Sequence, residues 1–315
     1  MKDPIDNIQK GLISVIIPAY NSMQWIDRAI QSVLNQTYQS IEIIVVVSYK
    51  STDGTFEHVK SHYPGITVIK QTSGGISAAR NLGAMNSHGE FLTSFDSDDI
   101  MVPQKLEIQL SCLQNIPDWG LCTSDTWTFD ASEAIGSIHA NPIQQKVGIS
   151  FIDFALLIKK GNLIVASSVL VKREVFFQVG GYDENLHGAE DYDLWLKIAA
   201  KWRVVMVQSK LVWYQITSGS LSEDKITMKL DEIAVLKKWE QVEPEIVLPA
   251  LRRDSLSLTR KLLRVGKEKE AREVFKGPYL GKKGEWYHQI QFSLLSGICK
   301  LHASFFSDER KAKKN

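Results

Sequence analysis

Three carboxylates fall within four residues at Asp96-Ser97-Asp98-Asp99, directly after the β-rich run Glu90-Phe91-Leu92-Thr93-Ser94-Phe95. Like charges this close repel unless something positive joins them. A hard divalent cation, Mn2+ or Mg2+, does so when the partner is a phosphate. At the carboxyl end of a strand the acids stand where open α/β sheets bind ligands. A plainer expectation is an acidic turn in which Asp99 caps the helix announced by Pro103. A second acidic group, Glu190-Asp191-Tyr192-Asp193, opens an amphipathic segment that runs to Ile198. Acids in a first helical turn complement the helix dipole, which gives that group a purely structural reading as well.

The elements that must position these acids are legible as alternating strands and helices. Leu12-Ile13-Ser14-Val15-Ile16-Ile17 is a continuous β-branched run closed by Pro18, the pattern of a strand buried on both faces. Asn21 or Ser22 is placed to cap a helix whose apolar positions are Ile26, Ala29, Ile30, Val33 and Leu34. Ile41 to Val47 reads as a second buried strand, and Ser51-Thr52-Asp53-Gly54-Thr55 opens a second helix. Ile66 to Ile69 is a third strand, followed by a turn at Ser73-Gly74-Gly75 and a helix from Ile76 to Met85. The strand that ends in the acids is the fourth. This alternation predicts an α/β protein with a mostly parallel sheet flanked by helices.

Further along, a helix is expected from Pro103 to Asn115, a strand from Leu121 to Phe129, and a loop over 131–149. A short helix near 150–159 and a strand from Leu163 to Val171 complete this part. Beyond residue 222 the pattern becomes helical throughout, over 226–239, 245–265, 268–275 and 284–306, which gives expected domains 1–222 and 223–315. The last helix carries Trp286, Ile290, Leu294, Leu295, Ile298, Leu301 and Phe305 on one broad face and precedes Arg310, Lys311, Lys313 and Lys314. It reads either as packed on the core with a solvated tail or as a peripheral membrane contact.

Bulk properties exclude several classes. The 315 residues carry a formal charge of +1, with acids in excess before residue 222 and bases in excess after it. No nucleic-acid partner is expected. Cys112, Cys122 and Cys299 are far apart and form no C-x-x-C pair, so neither a disulfide framework nor a zinc site is indicated. Residues 1–10 lack a signal-peptide core and no stretch is long enough to span a bilayer, so a cytoplasmic protein is expected, at most peripheral to the inner face of the membrane. Neither G-x-G-x-x-G nor G-x-x-x-x-G-K-[ST] occurs, which disfavours a dinucleotide site and a P-loop.

Taken as a set, five segments resemble the GT-A fold glycosyltransferases of family 2, inverting enzymes that use nucleotide-sugar donors. These are Val15-Ile16-Ile17-Pro18-Ala19-Tyr20-Asn21, Ser51 to Thr55, Gly75 to Gly83, Gly89 through Asp99, and Gly181-Tyr182-Asp183-Glu184 through Trp195. They stand in family order over about residues 12–200. The resemblance implies a GT-A catalytic domain, followed here by an all-helical extension for acceptor, membrane or partner docking. It makes Asp96 and Asp98 the D-x-D pair that holds Mn2+ or Mg2+ on the donor diphosphate, Asp98 the closer ligand. It places Pro18, Ala19, Tyr20, Asn21, Ser48, Gly75, Arg80, Asp96 and Ser97 at the nucleotide. Asp191, with Glu190 beside it, becomes the general base that activates an acceptor hydroxyl on a glycan or lipid-linked glycan.

The sequence departs from that family at two places. Ser48 and Tyr49 stand where a pair of aspartates is usual, the first of which reads the base, and Lys50 replaces a common glycine. The donor base is therefore open, with a UDP-sugar as the first expectation. Gln215 and Thr217 stand where an Arg and a His are common. These departures motivate an alternative, a catalytically weak or inactive GT-A domain serving as a binding or scaffold subunit of a glycan-assembly complex.

Overall fold

The computed structural model describes residues 8–130, 147–216 and 224–276, together with 292, 293, 295 and 296. The chain forms two compact units, Met1–Ser220 and Leu221–Asn315.

In the first unit, β1 (Gln9–Ala19), β2 (Ile41–Val47), β3 (Thr67–Lys70) and β4 (Gly89–Ser94) lie side by side in the order β3-β2-β1-β4, all parallel. They alternate with α1 (Ile26–Leu34), α2 (Thr55–His62) and α3 (Ile76–Met85). Val15, Ile16, Ile17, Ile44, Val45 and Val46 are all buried. Helices cover both faces of a parallel sheet, which is why these strands are apolar without alternation. Gly83 lets α3 approach β1, since a Cβ there would lie 2.4 Å from Cγ2 of Ile16.

Past β4 the sheet becomes mixed. β8 (Leu170–Lys172) runs antiparallel between β4 and β6 (Trp119–Asp130), and β9 (Arg203–Ile216) lies parallel to β6. The short strands β5 (Ile100–Met101) and β7 (Ile149–Ile152) pair antiparallel with β9. The helices of this half are α4 (Lys105–Leu113), α5 (Phe154–Lys160), α6 (Arg173–Gln178) and α7 (Glu190–Ala199).

Two expectations change. The region read as a helix over 150–159 is divided, because Ile149–Ile152 joins the sheet and the Asp153 carboxylate, accepting the Leu156 N–H at 2.6 Å, starts the helix only at Phe154. The strand expected from Leu163 to Val171 shrinks to Leu170–Lys172, since Ala166–Ser168 coils into a 3-10 turn. There the Ser168 hydroxyl donates to the Val165 carbonyl at 2.7 Å, a local bond that competes with a sheet ladder. The predicted loop over 131–149 lies largely outside the described residues, as does Thr217.

The second unit holds α8 (Lys225–Trp239), α9 (Pro244–Arg264) and α10 (Glu268–Lys276), packed α8 on α9 and α9 on α10. Asp224 caps α8, its Oδ1 accepting the Ile226 and Thr227 N–H groups at 3.2 and 3.1 Å. Phe292 is buried, with its ring centroid 5.5 Å from that of Phe275. The remainder of the predicted 284–306 helix lies outside the described residues, apart from helical Ser293, Leu295 and Ser296. Among the described residues no helix is long and apolar enough to cross a membrane.

Candidate active site

The carboxyl ends of β1, β2 and β4 meet at one rim, and hydrogen bonds tie the loops that leave them. Pro18 and Ala19 are the last, buried residues of β1; the Ser48 N–H donates to the Ala19 carbonyl at 2.8 Å, extending the β1–β2 pairing by one residue. Asn21 adopts a left-handed φ of 47°. Its N–H donates to Ser51 Oγ at 3.0 Å and its Oδ1 accepts the Thr52 N–H at 2.9 Å. Asp53 Oδ2 accepts the Met23 N–H at 2.8 Å, while Oδ1 accepts the Thr55 hydroxyl at 2.6 Å. Burial pushes the Asp53 carboxyl up, but hydrogen bonds from Thr55, Met23 and Ser51 outweigh it and leave its pKa below the ordinary value. This knitting explains the Ser51–Thr55 motif. Tyr20 and Tyr49 stay exposed beside it. Neither Asn21 nor Ser22 caps α1, which begins at Ile26 without a side-chain cap; Ser22 Oγ instead lies 2.8 Å from Ser97 Oγ, joining this loop to the acidic turn.

In the acidic turn the Asp96 N–H donates to Ser167 Oγ at 2.9 Å, and the Asp96 carboxylate accepts from Arg80 Nη2 at 2.8 Å. Asp99 does not cap the next helix. α4 starts at Lys105 after Gln104, with no side-chain cap, and Asp99 is fully buried with Oδ1 accepting the Gln215 N–H at 2.9 Å. Burial, with Asp96 and Asp98 nearby, pushes the pKa of this carboxylate well above the carboxylate range.

Arg80 links this turn to the second acidic group. Its guanidinium is almost fully buried, donates through Nη1 to Glu190 Oε1 at 2.7 Å and lies 5.3 Å from the centre of the Tyr182 ring. Burial alone would lower its pKa; Asp96, Tyr182 and Glu190 more than offset that and raise it. The neighbouring Asn81 grips the Tyr182 backbone from both sides, Nδ2 donating to its carbonyl at 2.9 Å and Oδ1 accepting its N–H at 3.0 Å. The Ala79-Arg80-Asn81 run thus serves two loops at once. Gly75 precedes α3, the helix that carries both residues, and its carbonyl accepts from Gln71 Nε2 at 3.0 Å.

Asp191 stands one residue beyond Glu190, in the first turn of α7. Its Oδ2 accepts from Asn162 Nδ2 at 2.9 Å and its Oδ1 from the Tyr192 N–H at 2.6 Å. Burial and the adjacent Glu190 push its pKa up to about 7, against the pull of Arg80 and the two hydrogen bonds. Glu190 and Asp191 therefore reach other elements while Asp193 pairs with Lys197 of α7 itself at 2.6 Å, and the helix has no side-chain cap. A carboxylate that titrates near neutrality is poised to take a proton from a weakly acidic group.

For a metal, the relevant donors are Asp96 and Asp98. Two carboxylates in one turn suit a hard cation that fills its remaining places with water and phosphate oxygens. Among the described residues no group of three or more His, Cys, Asp or Glu is placed to enclose an ion. Arg28, Asn162 and Ser167 join the site without any local sequence signal, since each reaches it from a separate element.

Known proteins resemble this chain in sequence and in fold. An uncharacterized glycosyltransferase of Rickettsia felis is 33% identical over 202 residues, which are 62% of this chain; the chain spans 33% of that relative's length. S. aureus TarS in complex with UDP-GlcNAc superposes with a TM-score of 0.57 at 17% identity, over 82% of this chain and 88% of that one. The mannosyltransferase PcManGT from Pyrobaculum calidifontis, in complex with GDP-Man and Mn2+, gives a TM-score of 0.57 at 16% identity, over 95% and 91%. The fold is thus GT-A. The sequence model of Glycosyl transferase family 2 matches residues 14–175, and the chain belongs to that family.

Proposed function

We propose that this protein transfers a sugar from a nucleotide-sugar donor to a hydroxyl of a glycan or lipid-linked glycan, with inversion at the anomeric carbon. The observation that carries this reading is the Arg80 bridge, which sets Asp96 of the acidic turn and Glu190, next to Asp191, on one guanidinium. A phosphate-facing turn and a proton-accepting carboxylate are thereby held in one site. UDP-GlcNAc in TarS and GDP-Man with Mn2+ in PcManGT support a nucleotide-sugar donor.

In this reading the rim formed by Pro18 to Asn21, Ser48, Gly75 and Ser97 receives the nucleotide. Asp96 and Asp98 would hold Mn2+ or Mg2+, which would neutralise charge on the departing diphosphate. Asp191 accepts the proton of the acceptor hydroxyl as its oxygen bonds to the anomeric carbon and the bond to the diphosphate breaks. Proton transfer comes late, once the attacking oxygen has become acidic, so a carboxylate near neutrality suffices. The helical unit docks the acceptor, a partner or a membrane surface.

The test is purified full-length protein with Mn2+ and a panel of UDP-, GDP- and other nucleotide sugars. Donor binding or slow donor hydrolysis is expected for at least one, and the anomeric configuration of a transfer product, read by NMR, checks inversion. No binding and no hydrolysis across the panel defeats the proposal and favours the scaffold reading.

A further inference from the structure

A second arginine meets the acidic turn. Arg28 projects from α1, a helix with no acidic-site motif of its own. Its guanidinium carbon lies 5.2 Å from the centre of the Trp25 ring and 5.1 Å from that of Phe129, so two aromatic side chains fix its plane. From there Nη2 donates to the backbone carbonyl of Asp98 at 2.5 Å and also to Oε1 of Gln215. Gln215 in turn donates its backbone N–H to Asp99 at 2.9 Å. Two consecutive residues of the acidic turn are therefore held by one residue at the end of β9, Asp99 directly and Asp98 through Arg28. The charge of Arg28 also acts on Asp98 and Asp99.

We propose that Arg28 is a positioning residue for the divalent cation: by gripping the Asp98 carbonyl against Gln215, it sets where Asp98 presents its carboxylate. The carboxylate leaves the same residue whose carbonyl is held, so a slack carbonyl displaces the ligand oxygens. Partners of this kind, which touch a metal ligand and not the metal, typically alter metal affinity roughly 10- to 100-fold when removed. One nitrogen of a planar guanidinium serves two acceptors while the Trp25 and Phe129 rings pack against the group; a lysine keeps the charge and loses that planar group. The inference rests on Asp96 and Asp98 being the cation ligands.

The experiment titrates the full chain with Mn2+ alone and follows the EPR signal of the free ion. Arg28→Lys and Arg28→Met are each expected to weaken the apparent Kd roughly tenfold or more, with thermal midpoints close to the parent. Asp98→Asn weakens it too, and adding Arg28→Met to Asp98→Asn gives no further loss, since both changes act through one ligand. Parental Mn2+ affinity in both folded Arg28 variants overturns the proposal, as does an equal further loss in the Asp98→Asn background. Should Arg28→Met fail to fold, Gln215→Leu carries the test: it keeps the amide bonded to Asp99, removes the side-chain acceptor, and is expected to weaken Mn2+ binding severalfold. A parent protein that binds no Mn2+ defeats the metal assignment itself, and this inference with it.

Discussion

Arg80 and Glu190 are 110 residues apart in the chain and 2.7 Å apart in the fold, joined by a buried ion pair whose guanidinium also holds Asp96. An arginine in this place is a strut between two loops. Arg80→Leu leaves two carboxylates without their partner and is expected to destabilise the first unit by about 3–5 kcal/mol, measured by urea denaturation. Adding Glu190→Gln is expected to restore part of that loss, because the amide carries no uncompensated charge. A loss below about 1 kcal/mol would show the pair to be solvated in effect.

The pKa of about 7 at Asp191 has a kinetic and a thermodynamic consequence. As a general base the group works deprotonated, so kcat/KM is expected to rise with pH through about 7 and level off above it. Asp191→Asn is expected to lose roughly 10²–10⁴ in kcat with donor affinity kept. The stability sign is opposite to that of a salt-bridged acid. The folded carboxyl keeps its proton up to about 7 while the unfolded one releases it near the ordinary value of 3.8, so stability falls across that interval and is flat above it. Asp191→Asn is therefore expected to raise Tm relative to the parent at pH 8 and to leave it unchanged at pH 4. A variant that shifts Tm equally at both pH values would refute the assignment.

Asn162 donates to the charged form of Asp191 at 2.9 Å, and its Oδ1 accepts the Ile164 N–H at 3.2 Å, which fixes which way the amide points. Removing that donor disfavours ionisation. Asn162→Ala is expected to move the midpoint of the pH–rate profile upward and to lower kcat at pH 7 by about tenfold, with donor KM nearly constant. A profile that keeps its midpoint would mean that Asn162 has no hold on the base.

Gly83 tests the packing that carries the site. A Cβ at this position falls 2.4 Å from Ile16 Cγ2 and 3.3 Å from Val46 Cγ2, both in central strands. Gly83→Ala must push α3, and Arg80 with it, away from the sheet. A destabilisation of about 1–3 kcal/mol is expected in denaturant melts, despite alanine's better helix propensity. A neutral or stabilised variant would show that the helix has room to move.

The amino-acid sequence by itself determined the parallel half of the sheet and the order of its helices, because a strand buried on both faces must be apolar throughout and a helix must be apolar on one side. α3 and the strand leading into Asp96 were legible to within a residue or so. The irregular half was less so: Ala166–Ser168 left the strand as the Ser168 hydroxyl bonded locally, and β7 was too short to distinguish from the helix after it.

What only the tertiary structure decided is who holds the acids. Asp96, Asp98 and Asp191 stand out as residue types in a pattern, since clustered carboxylates are a local signal. Their partners are not local: Gln215 reaches Asp99 across 116 residues and Arg28 meets Gln215 across 187. Hydrogen bonds of that span follow from which strand ends the sheet brings together, and no spacing along the chain encodes them. For the same reason Asp99, a plausible helix cap in sequence, became a buried brace against β9.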